Sequence, residues 1–224
     1  KGDGRRADLS LSQALSLGER EVISLVGAGG KTSLMFSLAK ELSDRGYGVI
    51  TTTTTKIFPP HPWQSPLCII KKDKDELLHH AKEGLRLHRH ITLAKGRTEE
   101  GKLLGVEREE VEELYALAPY LICEADGARG LPLKAPGEHE PQIPPCTTLV
   151  VPIIGVKGVG RPLSEDTAFR PERLSEITGL PLGGPISPDI IVKLILHPRG
   201  ISKGRPPHAR VIPFINQVES KEEL

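Results

Sequence analysis

The chain has 224 residues, of which 38% are hydrophobic and 26% charged. That balance fits a globular protein able to bury about 70% of its unfolded surface and excludes a disordered one. Lys and Arg number 30 against 29 Asp and Glu, a formal net charge of +1, so nothing in the global charge draws the chain to nucleic acid or an anionic membrane.

The start, KGDGRRADLSLSQALSLGE, is basic but has no apolar core or cleavage pattern, and it does not read as a signal peptide. Residues 1–8 are polar and expected to be loose, leaving residues 9–224 as one domain. Further on, EVISLV (residues 21–26) is a β-branched run ending in glycines, which predicts a buried strand. KTSLMFSLAKELSDRG sets Leu34, Leu38 and Leu42 at four-residue spacing, one face of a helix that Gly46 stops. YGVITTTTT returns to strand composition, so the unit is βαβ with parallel strands and a right-handed crossover.

KIFPPHPWQSP is too rich in proline to extend that strand. LCIIK predicts another strand, DKDELLHHAKEGLRL a helix, and ITLAKGRTEEGKLLGV two short strands joined by a turn. EREEVEELYALAP predicts an amphipathic helix with its acidic residues at the favourable end, leading into a central strand in YLICEADGARG. LPLKAPGEHEPQIPP is a long loop punctuated by proline and glycine, and TTLVVPIIGVKG is a strand despite Pro152. FRPERLSEITG predicts a short helix. In the next one Ser187 caps, Pro188 takes the first turn and Pro198 prevents continuation. ARVIPFINQVES ends the chain with a short strand and a turn. The sum is a three-layer α/β/α architecture with a mostly parallel sheet, of P-loop NTPase-like form. Three separated cysteines, Cys68, Cys123 and Cys146, without a CxxC spacing, read as reduced, largely buried thiols of a cytoplasmic protein. No apolar run reaches the roughly 18 residues of a membrane span.

VGAGGKTS (residues 26–33) lies between the first strand and the first helix. In a phosphate loop, backbone N–H groups and the helix N-terminus cradle the phosphates, a lysine reaches the terminal ones, and the next hydroxyl holds Mg²⁺. Gly27, Ala28, Gly29, Gly30, Lys31, Thr32 and Ser33 supply those parts. The full pattern asks for glycine where Leu25 stands, so the loop is two residues tighter than usual and similar to the compact GTxGKT loop of Mur ligase-like enzymes. A glycine turn with a solvated lysine would use the same residues.

ICEADGARG sets Glu124 and Asp126 two apart at a strand end, on one side of an extended segment. Either could hold Mg²⁺, and either could orient an attacking water. Gly127 would admit the γ-phosphate, and Arg129 would add positive charge near the phosphates or an anionic partner. Glu-x-x-Gly here resembles the Walker B and switch region of metallochaperone-type GTPases. In TTTTTK, Thr54 (a metal candidate), Thr55 and Lys56 (a catalytic candidate toward a transferred group) sit at the carboxyl end of a strand, where open α/β sheets bind ligands. NQVE resembles the guanine-reading NKxD motif, with Asn216 and Glu219 in the base-reading places. Gln217 replaces its lysine and glutamate its aspartate, which leaves ATP and GTP both open.

Taken together, VGAGGKTS, TTTTKIFPP, EADGARGLPLKAPGEHEPQIP, FRPE, LILHPRGISKG and IPFINQVE resemble the accessory proteins of selenium-dependent molybdenum hydroxylases, the YqeC-like family of P-loop NTPase type. The resemblance runs from about Glu21 to Glu219. Its motifs fall on residues 27–32, 52–56 and 124–130, on Lys134, and on His139, Glu140, His197 and Lys203, whose roles it does not define. It implies a Mg²⁺-dependent protein that binds ATP or GTP and hydrolyses it during maturation of a molybdenum hydroxylase or its selenium- or molybdenum-containing cofactor. Its partners would be a nucleoside triphosphate and that hydroxylase or cofactor-assembly proteins, with no nucleic acid or membrane. Lys31, Lys56, Glu124 and Asp126 would be catalytic, and Thr32, Thr54, Glu124 and Asp126 would hold the metal. Two alternatives stay open: an ATP-dependent kinase or ligase acting on a small cofactor precursor, and a nucleotide-gated carrier of selenium or metal without turnover.

Overall fold

The structure, a computed structural model, describes residues 9–219; the expected loose segment 1–8 lies outside them. A short helix, α1 (Leu11–Ala14), precedes the strand–turn–helix–strand unit of β1 (Glu21–Gly27), α2 (Lys31–Asp44) and β2 (Val49–Thr53). Next come β3 (Lys56–Ile57), β4 (Cys68–Ile70), α3 (Lys74–Leu87) and β5 (His90–Ala94). They are followed by β6 (Gly96–Arg97), β7 (Leu103–Leu104), α4 (Val111–Tyr115) and β8 (Tyr120–Glu124). The remainder holds β9 (Leu133–Lys134), β10 (Leu149–Gly155), β11 (Ala168–Phe169), α5 (Pro171–Thr178), α6 (Pro188–Leu196), β12 (Arg210–Val211) and β13 (Phe214–Asn216).

The central sheet runs β4-β5-β2-β8-β1-β10-β12, with β13 also paired to β10. All of its pairings are parallel. Alternation along the strands divides the core. Ile23, Leu25 and Ile122 face Leu34, Leu38 and Leu42 of α2, while Val22, Ile50, Leu121 and Cys123 face Leu77 and Ala81 of α3 and Val111 and Leu114 of α4. Helices therefore cover both faces, the three-layer α/β/α arrangement expected from the sequence. Leu38 is fully buried, and truncating such a leucine to alanine costs about 2–5 kcal/mol.

Parallel strands end on one edge together, so the turns after β1, β2 and β8 share that edge. The registers Leu25↔Glu124 and Thr53↔Glu124 place Glu124 between the ends of β1 and β2. Two small sheets border it. β3, β6 and β7 form an antiparallel sheet beyond β2, and β9 pairs with β11 beyond β10.

Several segments differ from expectation. ITLAKGRTEEGKLLGV holds three strands instead of two: β5 joins the central sheet, and β6 and β7 form a hairpin that recruits β3 from the proline-rich segment. The EREEVEELYALAP helix contracts to the five residues of α4. The C-terminal strand is broken in two at Ile212 and Pro213. That break lies opposite Pro152, whose imino nitrogen faces the same edge, since the Val150 carbonyl accepts from Ile212 there and the Ile153 carbonyl turns the other way to accept from Ala28. A proline is tolerated in β10 because its neighbour asks for no hydrogen bond at that rung. Ser187 occupies the N-cap position of α6 with Pro188 in its first turn, but its side chain makes no capping hydrogen bond. Among the described residues, no helix is long and apolar enough to cross a membrane.

Candidate functional site

The turn after β1 is shaped by its glycines. Gly27 and Gly29 have φ of 88° and 92°, and a Cβ on either would lie 2.4 Å from backbone atoms of Ile153 or Gly155. Only glycine permits both the left-handed backbone and that approach to β10. Gly30 is the N-cap of α2 with φ of 121° and no side-chain cap, so no cap side chain satisfies the first-turn N–H groups, an arrangement that favours anions. Asn216, at the end of β13, supports the turn, its amide nitrogen donating to the Gly29 carbonyl at 2.8 Å.

Lys31 folds back over the turn. Its ammonium donates to the Gly27 carbonyl at 2.7 Å and lies 3.1 Å from Asp126 Oδ1 and 3.8 Å from Glu124 Oε1. Thr32 donates its hydroxyl to Glu124 Oε2 at 2.7 Å. Asp126 Oδ2 accepts from the Gly27 N–H at 3.1 Å. The two carboxylates that the sequence sets two apart thus meet the two residues expected to serve phosphate and metal. Burial pushes the Glu124 carboxyl up, against the opposing pull of Lys31 and the Thr32 hydroxyl.

A second lysine completes the arrangement. Lys134, with a wholly buried side chain, lies 3.1 Å from Asp126 Oδ2 and 2.8 Å from Glu140 Oε2, and it also reaches the Gly127 carbonyl at 2.5 Å. Arg170 grips Glu140 through two contacts of 2.7 and 3.3 Å. Burial opposes ionisation of Glu140, but the hydrogen bonds from Arg170 and Lys134 outweigh it and hold its carboxyl at about 2. A chain of charges therefore runs from Lys31 through Asp126, Lys134 and Glu140 to Arg170. Arg170 and Arg129 stand 4.2 and 4.7 Å from the Phe169 ring centre.

Lys31, Glu124, Arg129, Glu140, Phe169 and Arg170 line an open cleft of about 870 Å³, whereas the buried Asp126 and Lys134 are not part of its lining. The volume is within the roughly 300–1,000 Å³ range of small-molecule sites. Gly29, Gly30, Lys31, Thr32, Ser33, Thr54 and Lys56 of the expected set reach it, with Glu124. Thr51, Thr52 and Thr53 do not, since their hydroxyls bond within the sheet to His90, Thr92, Leu93 and Glu124. Thr54 faces the cleft, but its hydroxyl donates to the Gln142 carbonyl at 2.7 Å. Glu219 pairs with Lys157. His139 is exposed, and His197 Nδ1 accepts from the Arg199 N–H at 3.0 Å. Burial raises the Cys123 and Cys146 thiols to about 12 and about 11, the range of inert core cysteines.

Sequence reasoning gave Lys134 no role and missed Phe169 and Arg170 as parts of this cleft. The available signal was a lysine between apolar and proline residues in LPLKAP, where a buried cation demands carboxylates.

The residues fit a magnesium ion. Mg²⁺ takes one or two carboxylates and phosphate oxygens and keeps several waters. Thr32 and Glu124 are already in contact, and the buried Oδ1 of Asp126 has its ion pair to Lys31 but no hydrogen bond. Among the described residues no three His, Cys, Asp or Glu side chains form a metal cage.

The model of the YqeC protein family matches residues 23–172. A protein of Escherichia coli (strain K12) named "Uncharacterized protein YqeC" is 36% identical over 204 residues, covering 90% of this chain and 77% of that one. No solved structure matches.

Proposed function

The chain belongs to the YqeC family, and from that premise we propose that it is a Mg²⁺-dependent nucleoside-triphosphate-binding protein that hydrolyses its nucleotide. The observation that carries this reading is Lys31, held over the turn of residues 27–30 between the Gly27 carbonyl and Asp126 while Thr32 bonds Glu124. In this reading the turn and the uncapped start of α2 bind the β- and γ-phosphates, and Lys31 swings from its carboxylates onto them. Thr32 with Glu124 or Asp126 holds Mg²⁺, which when bound offsets the charge of the phosphate oxygens. Whichever of Glu124 and Asp126 does not hold the metal would orient an attacking water. ATP and GTP are both candidates.

The sequence resemblance supports a cellular role in maturation of a selenium-dependent molybdenum hydroxylase or its cofactor. Phosphate release from ATP and GTP, measured alone and with that hydroxylase, tests both parts. The expected result is slow release that needs Mg²⁺ and accelerates with the client. Binding without release in either condition would favour a passive carrier. The full burial of Cys123 speaks against cargo ligation through that thiol.

A second reading, group transfer to a small acceptor by a kinase or ligase, is favoured by the extent of the cleft. It continues past the loop to Phe58, Lys102, Phe169 and Arg170. The same assay separates the two, because a kinase or ligase would release little phosphate or nucleotide product until an acceptor is supplied.

A further inference from the structure

Three of the four non-glycine residues with positive φ among the described residues, Arg129 (52°), Arg170 (63°) and Gln217 (66°), line the cleft. Such backbone costs about 1–3 kcal/mol per residue and clusters at binding and active sites. Arg129 and Arg170 flank Phe169, and a guanidinium resting on an aromatic ring is pre-organised to present its N–H edge.

The two arginines are in different states. Arg170 already binds Glu140 twice and the Ala135 carbonyl. Arg129 is exposed and, among the described residues, touches Phe169 but no carboxylate. Lys56 on the β2 side of the cleft likewise has no acidic partner among the described residues, and it is exposed. Five basic side chains face two acidic ones across the cleft lining, in a chain whose overall charge is +1. Both acidic ones, Glu124 and Glu140, are already engaged by Thr32, Lys31, Lys134 and Arg170. The guanidinium of Arg129 and the ammonium of Lys56 are therefore cleft-lining cations without an acidic partner among the described residues, available to an anion.

We propose that the cleft binds, beside the nucleotide, a second small molecule carrying a phosphate or carboxylate, gripped by the Arg129 fork with Lys56 adding charge. The inference rests on the nucleotide reading of the loop for its geometry, but it is measurable without it. Arg129 is bidentate-capable and stacked, the combination that recognises planar or tetrahedral oxyanions better than a lysine does. Phe169 is then the positioning residue, acting through the guanidinium it holds.

The experiment follows the arginine Nε–Hε NMR signals of the full chain during titration with inorganic phosphate and, separately, acetate. Both titrations are run on the nucleotide-free protein and on protein saturated with Mg²⁺ and a non-hydrolysable triphosphate. The proposal expects the Arg129 signal to shift and saturate in both states, with Arg129→Ala weakening that site at least about tenfold and Arg129→Lys less. Nucleotide affinity should stay within about twofold in Arg129→Ala. Preference for phosphate over acetate, or the reverse, identifies the acid group.

An Arg129 signal that is unmoved by either probe would overturn the proposal. So would a phosphate response that vanishes once nucleotide is bound, together with an equal loss of nucleotide affinity in Arg129→Ala, because Arg129 would then belong to the triphosphate. If no nucleotide binds at all, the nucleotide reading fails by itself, and the titration of the free protein still decides the second site.

Discussion

Lys31 Nζ lies 3.1 Å from Asp126 Oδ1, and Lys134 Nζ lies 3.1 Å from the other oxygen of the same carboxylate. Asp126 is thus a buried anion between two buried cations, and its charge ties the lysine that begins α2 to the lysine of the β9 segment. Such a group is costly to remove singly, because its partners stay behind as buried charges.

Asp126→Asn is accordingly expected to destabilise the ligand-free protein by about 3 kcal/mol, the lower end of the usual cost for breaking a buried pair. The lower end applies because Lys31 keeps Glu124 at 3.8 Å and Lys134 keeps Glu140 at 2.8 Å. Urea denaturation reads this as a lower midpoint at unchanged slope. A loss below about 1 kcal/mol would mean that water already screens the cluster.

Glu140 supplies a pH signature. Its carboxyl falls from an ordinary 4.5 to about 2 on folding, so its stabilisation is complete above the ordinary value and disappears as pH falls through the folded one. The shift corresponds to about 3 kcal/mol at most, with partial exposure reducing it. Glu140→Gln should therefore be less stable than the parent at neutral pH, and the difference should close between pH 4.5 and about 2. Stability curves of both proteins across that window check it. A difference independent of pH would assign the loss to packing.

The glycines make opposite predictions. Gly29→Ala places a Cβ 2.4 Å from Gly155 N at φ of 92°, and a loss of about 2 kcal/mol or more is expected. Gly127 has ordinary φ and nothing within 4 Å of a Cβ, so Gly127→Ala should leave stability within about 0.5 kcal/mol. Its effect should show only with ligand, as weaker nucleotide binding, because the added methyl points into the cleft region it lines. Thermal melts with and without nucleotide separate the two. A stable Gly29→Ala protein would contradict the loop geometry.

How far the site could be read in advance depended on whether its parts lie close in sequence. The turn of residues 27–30 was legible because a glycine turn between a strand and a helix is a local object. Glu124 and Asp126 were legible because strand alternation puts residues two apart on one side. Lys134, Phe169 and Arg170 were not, since β9 and β11 are two residues each and exist only because they pair with one another over 35 positions, as Ala168↔Leu133 and Phe169↔Lys134. Two-residue strands carry no periodicity to detect. β5 was hidden for a related reason: His90–Ala94 runs straight into the β6–β7 hairpin, and only its pairing with β2 and β4 separates it.

Asn216 lies in a motif that resembles a base reader, and its amide nitrogen donates to the Gly29 carbonyl at 2.8 Å. Asn216→Ala removes one hydrogen bond, about 1 kcal/mol, and loosens the loop that both nucleotides would share. ATP and GTP affinities are expected to fall together, by about fivefold. A fall confined to GTP in parallel binding titrations would return Asn216 to the guanine base.

The central claim is that the turn of residues 27–32 binds a nucleoside triphosphate through Lys31 with Mg²⁺. Calorimetric titration of ATP and GTP into the parent and Lys31→Ala, each with and without Mg²⁺ and with folding verified by circular dichroism, tests it most directly. The account predicts binding by the parent that Mg²⁺ strengthens, and a loss of about tenfold to a hundredfold in Lys31→Ala, the worth of a hydrogen bond between charged groups. Equal affinity in a folded Lys31→Ala protein, or no binding by the parent, would contradict it.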